Sequence, residues 1–403
     1  MSLPDTRARA TNVVVGEAKS LREQTKERPA HHLDDTQTHF ENPWPSFRFQ
    51  TKRQWLEFYL RHLFMPMKIP KDLSARIPSR RPDWGASSAP DKIKATWLGH
   101  ASFCVELPTP EGASRGPRIL FDPVLSHRCS PVQWAGPERF LPPPCPAEEI
   151  PAVDVICISH NHYDHMDLPT LRTVFGLYQP QIFVPLGNRD HLRSIDIPDS
   201  HIHTLDWWDV CTVSLSLPRA SPPSDIVDAQ ESKTDAGVET AFMVTCTPAQ
   251  HTANRGAFDR WRTLWASWAV EQVSPTGKGP NVYFAGDTGY RTVRDGEDED
   301  KVPRCPAFAE IGEKLGPFDL AMLPIGAYGP RSMWSNLHAS PSDAVQIFKD
   351  VRARRALPMH WATFPLTFEP ILEPPELLKQ ECAKEGLVEG TFEISGLGET
   401  KFI

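Results

Sequence analysis

The sequence predicts an α/β protein, because stretches with a strand pattern alternate with stretches with a helix pattern along its 403 residues. The clearest case is the order strand, helix, strand at 153–158, about 168–178 and 181–185. Both strands are apolar and rich in β-branched residues, as buried strands are. The helix start is marked by Asp167, which can cap it, and by Pro169 in its first turn. This β-α-β order is typical of α/β folds.

Other elements follow the same rules. Alternating or apolar stretches bounded by turn residues predict further strands, and Ser340 followed by Pro341 predicts the start of a later helix. The additional strands are predicted at 94–107 (two strands joined by a turn at Gly99), 118–122, 240–247, 261–271, 281–284, 318–324 and 354–358, with a closing strand or hairpin within 393–403.

A dense group of possible metal ligands occupies the loop between the strand at 153–158 and the helix that follows it. His160, His162, Asp164 and His165 fall within six residues. Imidazole and carboxylate groups suit zinc and similar divalent ions. One tetrahedral ion would not take four ligands from one short loop, so the density predicts two metal ions. The alternative is a surface loop that is rich in histidine, and the position at the end of a buried strand disfavours it.

Further candidate ligands follow three later strands. They are His251 after the strand at 240–247, Asp287 after the strand at 281–284, and His360 after the strand at 354–358. The glycines on either side of Asp287 let the backbone approach closely, and a carboxylate there can bridge two cations. The alternative for Asp287 is an ordinary turn, which the ligands at the other strand ends disfavour.

Several other polar residues have a less certain role in this pattern. His100 and Asp122 lie at strand ends, where each is either a partner that orients a metal ligand or a structural polar contact; the sequence leaves both possibilities open. His338 lies in a loop before the helix that begins near 340. His201 and His203 lack a following Asp-His pair, and we interpret them as surface strand residues.

Composition excludes some classes of function. The net charge of −8 argues against a protein that binds nucleic-acid phosphates. No apolar run approaches the ~20 residues that span a bilayer. The N-terminus lacks the apolar core of a secretory signal, so we expect a protein that is not secreted, although its arginines leave a transit peptide open. The eight cysteines include no Cys-x-x-Cys pair and predict reduced thiols.

The chain is predicted to contain one large domain behind a short leader. Residues 1–38 are polar and without periodicity, which predicts a disordered leader, and 39–403 are predicted to form the domain that carries the candidate ligands. Inserts are expected near 217–237 and 291–304. The stretch 52–67 has aromatic and aliphatic residues at helical spacing, which fits either a helix at a membrane interface or an ordinary helix packed on the domain.

These residues resemble the metal motifs of the metallo-β-lactamase superfamily and, more narrowly, the N-acyl-phosphatidylethanolamine-hydrolysing phospholipases D. The narrower resemblance rests on short stretches spread over about 40–403, although Leu337 stands where the family usually has Gln. They are Asn42-Pro43-Trp44-Pro45, Trp97-Leu98-Gly99-His100-Ala101-Ser102, the loop at 160–167, Gly286-Asp287-Thr288-Gly289-Tyr290, Pro324-Ile325-Gly326-Ala327-Tyr328 and His360-Trp361-Ala362-Thr363-Phe364.

The resemblance implies a four-layer αβ/βα sandwich with two Zn²⁺ per chain at one edge, between two sheets. It assigns His160, His162 and His251 to one zinc, Asp164, His165 and His360 to the other, and Asp287 to a bridge between them. This ligand set is taken from the family pattern and not from spacing alone.

The resemblance also implies an activity, the hydrolysis of N-acyl-phosphatidylethanolamine to N-acylethanolamine and phosphatidic acid by a hydroxide that bridges the metals. Asp164 would move a proton, His338 would contact the phosphate or the leaving alcohol, and Tyr328 could line the cavity. A phospholipid substrate implies an intracellular protein that is peripheral on a membrane, at a cytoplasmic face or mitochondrial. No nucleic-acid partner is expected, and a homodimer is possible.

Four alternatives remain. Another hydrolase of the same fold could act on a lactone, a thioester or a soluble phosphodiester. A tRNA-processing nuclease shares the His-x-His-x-Asp-His motif, but this acidic chain shows no long basic arm. A non-catalytic scaffold would show a degraded ligand set, and a di-iron oxygen-reducing site would favour a carboxylate at the position of His162.

Overall fold

Two β-sheets face each other and enclose most of the buried apolar side chains. The computed structural model describes residues 8–22, 27–62, 69–85, 89–220, 237–256 and 258–403. Along the described chain, the strands are β1 Thr11–Val15, β2 Lys19–Ser20, β3 Lys94–Gly99, β4 Ser102–Glu106, β5 Arg118–Phe121, β6 Val155–Cys157, β7 Gln181–Pro185, β8 Ile202–Leu205, β9 Asp209–Leu217, β10 Val238–Thr247, β11 Ser267–Gln272, β12 Asn281–Phe284, β13 Phe318–Pro324, β14 Ala353–Met359 and β15 Thr400–Phe402.

Helices connect several of these strands. They are α1 Lys52–His62, α2 Leu73–Arg76, α3 Leu168–Tyr178, α4 Arg189–Arg193, α5 Ala307–Lys314, α6 Arg331–Trp334, α7 Pro341–Asp350 and α8 Glu373–Lys384. One sheet has the order β1-β9-β10-β11-β12-β13-β14, with β2 also paired to β9, and the other has the order β15-β3-β4-β5-β6-β7-β8. The sequence prediction of an α/β sandwich is therefore confirmed.

The main core lies between the sheets. Phe121 of β5 stacks on Phe284 of β12 with ring centroids 4.8 Å apart, which joins the two sheets at their centre. A second apolar cluster lies under α3, where Leu171 and Val174 meet Ile156 and Ile182 on the outer side of the sheet. Burial on both faces accounts for the continuous apolar pattern of these strands.

Strand direction brings the ends of several strands to one edge of the sandwich. In the first sheet β12, β13 and β14 are parallel, and β10 runs the same way because it and β12 both pair antiparallel with β11. In the second sheet β5, β6, β7 and β8 are parallel. The loops that follow the carboxyl ends of these strands therefore lie close together. Ligand sites in α/β folds are commonly found at such strand ends.

The predicted strand at 261–271 is shorter in the structure. β11 begins at Ser267, and Trp261 has a positive φ of 69°, which ends any extended run. The indole N–H of Trp265 donates to the carbonyl of Ala249 at 2.8 Å, a long-range contact that the alternating aromatic pattern does not reveal.

The leader is more ordered than the sequence predicts. Within 1–38, the described parts include β1 and β2, both antiparallel to β9, and the buried residues His31 and His32. Pairing with an exposed strand edge uses backbone groups and needs no apolar periodicity. The disordered-leader prediction is therefore wrong for this described part of the segment.

The structure describes the second predicted insert in full and only the ends of the first. Most of 217–237 lies outside the described residues. The stretch at 291–304 is a loop, and Arg291 within it is buried with its Nε 2.7 Å from Asp343 Oδ1. The ion pair therefore attaches this loop to the start of α7. Most of the exposed charged residues of the loop lie within 294–301.

The helix predicted at 52–67 extends over Lys52–His62, and residues 63–68 lie outside the described part. Its Trp55 and Phe58 pack against Trp334, with ring centroids 5.9 and 6.1 Å away. Leu56 and Leu60 on another side are 59% and 69% exposed. The helix thus packs on the domain and also presents an apolar surface. Among the described residues no helix is both long and apolar enough to cross a bilayer.

Candidate metal centre

The structure brings the candidate metal ligands together in two adjacent groups. His160, His162 and His251 form one group, and Asp164, His165, His360 and His100 form the other. Within each group the possible ligand atoms all lie within 4.8 Å of one another. The ligands come from the loops after β6, β10 and β14, and His100 comes from the turn after β3.

Short distances define the first group. The Nε2 atom of His160 lies 2.8 Å from Nδ1 of His162, and Nε2 of His251 lies 3.4 Å from the same Nδ1. Three ring nitrogens thus point at one small volume, with no carboxylate among them. Three imidazoles of this kind suit a zinc-type ion.

The second group contains the carboxylate of Asp164. Its Oδ2 lies 3.4 Å from Nε2 of His165, 3.5 Å from Nε2 of His360 and 2.9 Å from Nε2 of His100. Two of these histidines are those that the family pattern assigns to the second ion. His100 is an additional imidazole that the sequence placed only near the site.

Asp287 lies between the two groups. Its Oδ2 is 3.2 Å from Nε2 of His165 and 3.7 Å from Nε2 of His251, and its Oδ1 is 3.0 Å from Nε2 of His360. A carboxylate that reaches ligands of both groups has the placement of a bridge. The close approach depends on Gly286, because a Cβ at that position would lie 2.5 Å from Cβ of Ser159.

Buried polar atoms in the centre fit divalent cations. Among the described residues, Nε2 of His165, Nε2 of His360 and Oδ1 of Asp287 are buried and make no hydrogen bond. Unpaired polar atoms in a protein interior are costly. Because these atoms converge and are of the types that bind zinc-like ions, a bound cation would satisfy them together.

The charges around the centre also favour a cation. Burial disfavours the charged form of His165, but the carboxylates of Asp287 and Asp164 outweigh burial and raise the pKa of His165 well above its usual value. The same balance raises the pKa of His360 to about 9. Without a metal, protons on these rings neutralise the carboxylates, and a divalent ion would replace those protons.

The outward-facing nitrogens of three of the ligand histidines are held by neighbouring groups. Nδ1 of His165 lies 2.7 Å from Oδ2 of Asp122, and Nδ1 of His160 lies 2.8 Å from Oγ of Ser159. Nδ1 of His251 lies 3.0 Å from the carbonyl oxygen of Leu337. Such contacts fix ring orientation and tautomer, which decides the open question about Asp122 in favour of an orienting role.

Some of these supporting residues escaped the sequence analysis. Ser159 directly precedes His160 at the strand end, and its position was the only available signal. Asn254 lies three residues after His251, and its Oδ1 is 3.2 Å from Nε2 of His162. Nothing in its sequence context predicts that contact.

His338 lies at the open side of the centre. Its Nδ1 is 3.7 Å from Oδ2 of Asp287, its side chain is 13% exposed, and burial lowers its pKa to about 4. The hydroxyl of Tyr328 donates to Oε1 of Glu373 at 2.7 Å, and a place for this residue in the cavity stays a prediction. His201 and His203 contact Gln181 and belong to neither group of ligands.

Comparison with known families agrees with this geometry. A family model described as "Beta-lactamase superfamily domain" matches residues 117–361, more than half of the chain. The chain therefore belongs to the metallo-β-lactamase superfamily and is a metal-dependent hydrolase with the fold of that class.

Within that superfamily the chain is similar to two eukaryotic enzymes. It is 37% identical over 312 residues to the N-acyl-phosphatidylethanolamine-hydrolyzing phospholipase D 1 of Caenorhabditis elegans, covering 76% of this chain and 74% of the relative. It is 29% identical over 374 residues to the mitochondrial N-acyl-phosphatidylethanolamine-hydrolyzing phospholipase D of Saccharomyces cerevisiae, covering 84% and 70%. The structure of Igni18, a metallo hydrolase from Ignicoccus hospitalis, matches at 21% identity and a TM-score of 0.43, covering 77% of this chain and 98% of that chain.

Proposed function

We propose that the protein is a zinc-dependent phosphodiesterase that hydrolyses N-acyl-phosphatidylethanolamine to N-acylethanolamine and phosphatidic acid. The observation that carries the proposal is the pair of ligand groups joined by Asp287. The names of the two similar enzymes supply the substrate. The reaction joins the oxygen of a water molecule to phosphorus and breaks the bond from phosphorus to the ethanolamine oxygen.

Two zinc ions would be held by the residues already described. His160, His162 and His251 would hold one ion; Asp164, His165 and His360 would hold the other, and Asp287 would contact both. When bound, such ions supply Lewis-acid stabilisation of phosphoryl oxygens and lower the pKa of water towards ~7. Ser159 and Asp122 keep the ligand rings oriented for this task.

Asp164 is the residue proposed to move the proton. Attack by water releases a proton, and the departing ethanolamine oxygen needs one. Oδ2 of Asp164 is held 2.9 Å from Nε2 of His100, which fixes the carboxylate beside the centre. A positioned carboxylate can receive the proton and return it to the leaving oxygen.

His338 is proposed to contact the phosphate or the leaving alcohol. Its Nδ1 is buried and, among the described residues, without a hydrogen-bond partner, although it lies near Asp287. An imidazole N–H at this position can donate to a phosphate oxygen. Leu337 contributes its carbonyl to His251 and not a side-chain amide to the substrate.

An aromatic surface next to His338 is proposed to guide the lipid. The ring of Trp334 lies 6.5 Å from that of His338 and contacts Trp55 and Phe58 of α1. The exposed side of α1 would lie on an intracellular membrane, at a cytoplasmic face or in mitochondria. Homodimer formation remains a prediction from the family resemblance.

A turnover assay with metal analysis tests the proposal. The purified chain should release N-acylethanolamine from N-acyl-phosphatidylethanolamine vesicles, and His162→Ala and Asp287→Asn should each abolish release while the protein stays folded. His201→Ala is the matched control, because this histidine lies outside the centre and should leave turnover unchanged. Full turnover by either centre variant, or by the metal-stripped chain, would refute the proposal.

Substrate profiling separates this function from the alternative hydrolases. The same preparation should be assayed with a lactone, a thioester and a water-soluble phosphodiester. Hydrolysis of one of these without release of N-acylethanolamine would show a metal-dependent hydrolase of different specificity.

Vesicle flotation tests the membrane part on its own. Leu56→Ser with Leu60→Ser should weaken binding to vesicles, because both side chains are exposed on α1. Val388→Ser is the control, since Val388 is 77% exposed but belongs to the turn after α8. Equal flotation of the double variant and the control would contradict a membrane role for α1.

A further inference from the structure

A second cluster of possible metal ligands lies outside the catalytic centre. His31, His32 and Asp206 are 5%, 4% and 8% exposed, and their possible ligand atoms lie within 4.8 Å of one another. Asp206 follows β8, which is two strands from β6 in the second sheet. The cluster therefore joins the N-terminal arm, defined here as residues 8–22 and 27–40, to the outer strand of that sheet.

The geometry around Asp206 is close to that of a three-ligand site. Nε2 of His31 lies 2.7 Å from Oδ1 of Asp206, and Nε2 of His32 lies 3.0 Å from its Oδ2. Two ligand atoms that bind tetrahedral zinc at ~2.0–2.1 Å stand roughly 3.3 Å apart. Displacements of a few tenths of an ångström would open the cluster to that spacing.

One of the possible ligand atoms, Nε2 of His32, is not used in a hydrogen bond within the part of the chain that the structure describes. Despite its short distance to Asp206, Nε2 of His32 makes no hydrogen bond to any described residue, and its side chain is 2% exposed. His31 thus makes an aligned hydrogen bond to Asp206, whereas His32 pairs with that carboxylate only when its ring is protonated. A buried, neutral imidazole nitrogen that makes no aligned hydrogen bond is available to bind a cation.

The charges near the cluster leave room for a cation. Arg22 donates to Oδ2 of Asp206 at 2.8 Å and to the carbonyl of Trp207. The backbone N–H of Asp206 donates to Oδ2 of Asp209, which adds a second carboxylate. One guanidinium thus faces two carboxylates. Burial lowers the pKa of His31, which keeps its ring in the neutral form that binds metals.

We infer that His31, His32 and Asp206 form a structural site for one zinc-type divalent ion, separate from the catalytic centre. Two imidazoles and one carboxylate suit zinc and its neighbours among the transition metals. Further along the same segment, Asn42 donates its amide to the carbonyl of His251 at 2.7 Å. An ion at this site would fix the segment that supports a catalytic-centre ligand.

Metal counting tests the site without depending on the catalytic function. The full chain carrying His162→Ala and His360→Ala, which disrupts the catalytic centre, is saturated with zinc, dialysed and analysed for zinc per chain. Adding His32→Gln should remove one zinc per chain. Adding His39→Gln instead should remove none, because His39 contacts Asp34 on the exposed part of the arm. Equal zinc content in the two variants would overturn the inference.

Hydrogen exchange provides a second test that needs no change in the cluster. In the His162→Ala, His360→Ala chain, peptides from 27–40 and from the β8–β9 turn should exchange faster after chelation than with zinc. Unchanged exchange would show that hydrogen bonds alone hold the arm, and it would overturn the inference even if His32→Gln fails to fold.

Discussion

At the scale of single residues, the rings of His160, His165 and His251 at the centre each have two tasks. One nitrogen faces the volume where an ion would bind, and the other is held by Asp122, Ser159 or the carbonyl of Leu337. The residues behind the ligands therefore decide how well the ligands are aimed. Asp122 is the most informative of them because it is fully buried and contacts both His165 and Ser159.

Asp122→Asn should weaken metal binding by about 10–100-fold and lower turnover by a similar factor. The amide keeps the size of the side chain but loses the charge that orients the His165 ring. Competition with a chromogenic chelator measures the affinity.

Asp319→Asn is the matched control for this change. Asp319 also accepts a backbone N–H, from Asn281 at 3.0 Å, but it lies on β13 away from the ligands. If both variants bind metal as tightly as the wild type, Asp122 has no orienting role.

Metal binding to the stripped protein should release protons at pH 7. Asp287 and Asp164 raise the pKa of His165 well above its usual value and that of His360 to about 9, so both rings favour the protonated form at pH 7. Ligation requires the neutral rings. The apparent affinity of the stripped protein for the metal should therefore increase with pH up to about 9 and decrease as the pH is lowered below 7.

Calorimetric titration in two buffers with different ionisation enthalpies measures this release. The buffer-dependent part of the heat gives the number of protons displaced per chain. A value of zero at pH 7 would show that the rings are already neutral and that the carboxylates do not hold protons on them.

At the scale of elements, the start of α7 connects the His338 loop to the rest of the protein. Ser340 Oγ accepts from the N–H of Asp343 at 3.3 Å, and Oδ2 of Asp343 accepts from the N–H of Ser340 at 3.1 Å, which forms a capping box. Asp343 is also fully buried against Arg291 and Arg331. The cap and the ion pairs share one carboxylate.

Asp343→Asn should therefore cost more stability than Ser340→Ala. Removal of the charge takes away the buried carboxylate that pairs with both Arg291 and Arg331 and leaves them only the more exposed Glu299, at about 3–5 kcal/mol. Loss of the cap alone costs about 1 kcal/mol. Denaturant unfolding monitored by circular dichroism measures both values, and equal destabilisation would mean that the ion pairs add little to the cap.

Elements with a strong local signal were predicted closely. The structure has α3 at Leu168–Tyr178 and β7 at Gln181–Pro185, as the helix start and the apolar run indicate. The predicted start of β11 at 261 lies six residues before the observed start at Ser267, because aromatic alternation at 261–266 reflects packing by separate long-range contacts and not strand pairing. Local sequence patterns therefore predict the bounds of an element well when the same residues determine both its backbone conformation and its burial.

At the scale of the whole molecule, the N-terminal arm covers an edge of the first sheet. β1 and β2 both pair with β9, which would otherwise present unpaired backbone groups to solvent on that side. Exposed edges of this kind promote association between chains. We therefore expect the arm to stabilise the fold and to limit association between chains.

Deletion of residues 1–22 should lower the melting temperature and promote self-association. Each lost backbone hydrogen bond contributes about 0.5–1.5 kcal/mol, and β9 becomes accessible. Differential scanning fluorimetry and light scattering measure the two effects. Deletion of residues 1–7 leaves β1 and β2 in place and should change neither; a 1–22 deletion that behaves like this control would show that the arm is dispensable.

The amino-acid sequence alone predicts the fold class, the strand ends that carry ligands and the residue types of the catalytic centre. Those features depend on local periodicity and on the chemistry of His and Asp, and both can be identified from the sequence without a structure. The three-dimensional structure was needed to find the contacts of His100 and Asp122, the ordered strands of the arm, and the proximity of His31 and His32 to Asp206. Each of these features depends on which distant segments become neighbours. Backbone pairing and contacts between distant side chains produce no periodic pattern in the sequence, so the sequence does not reveal them.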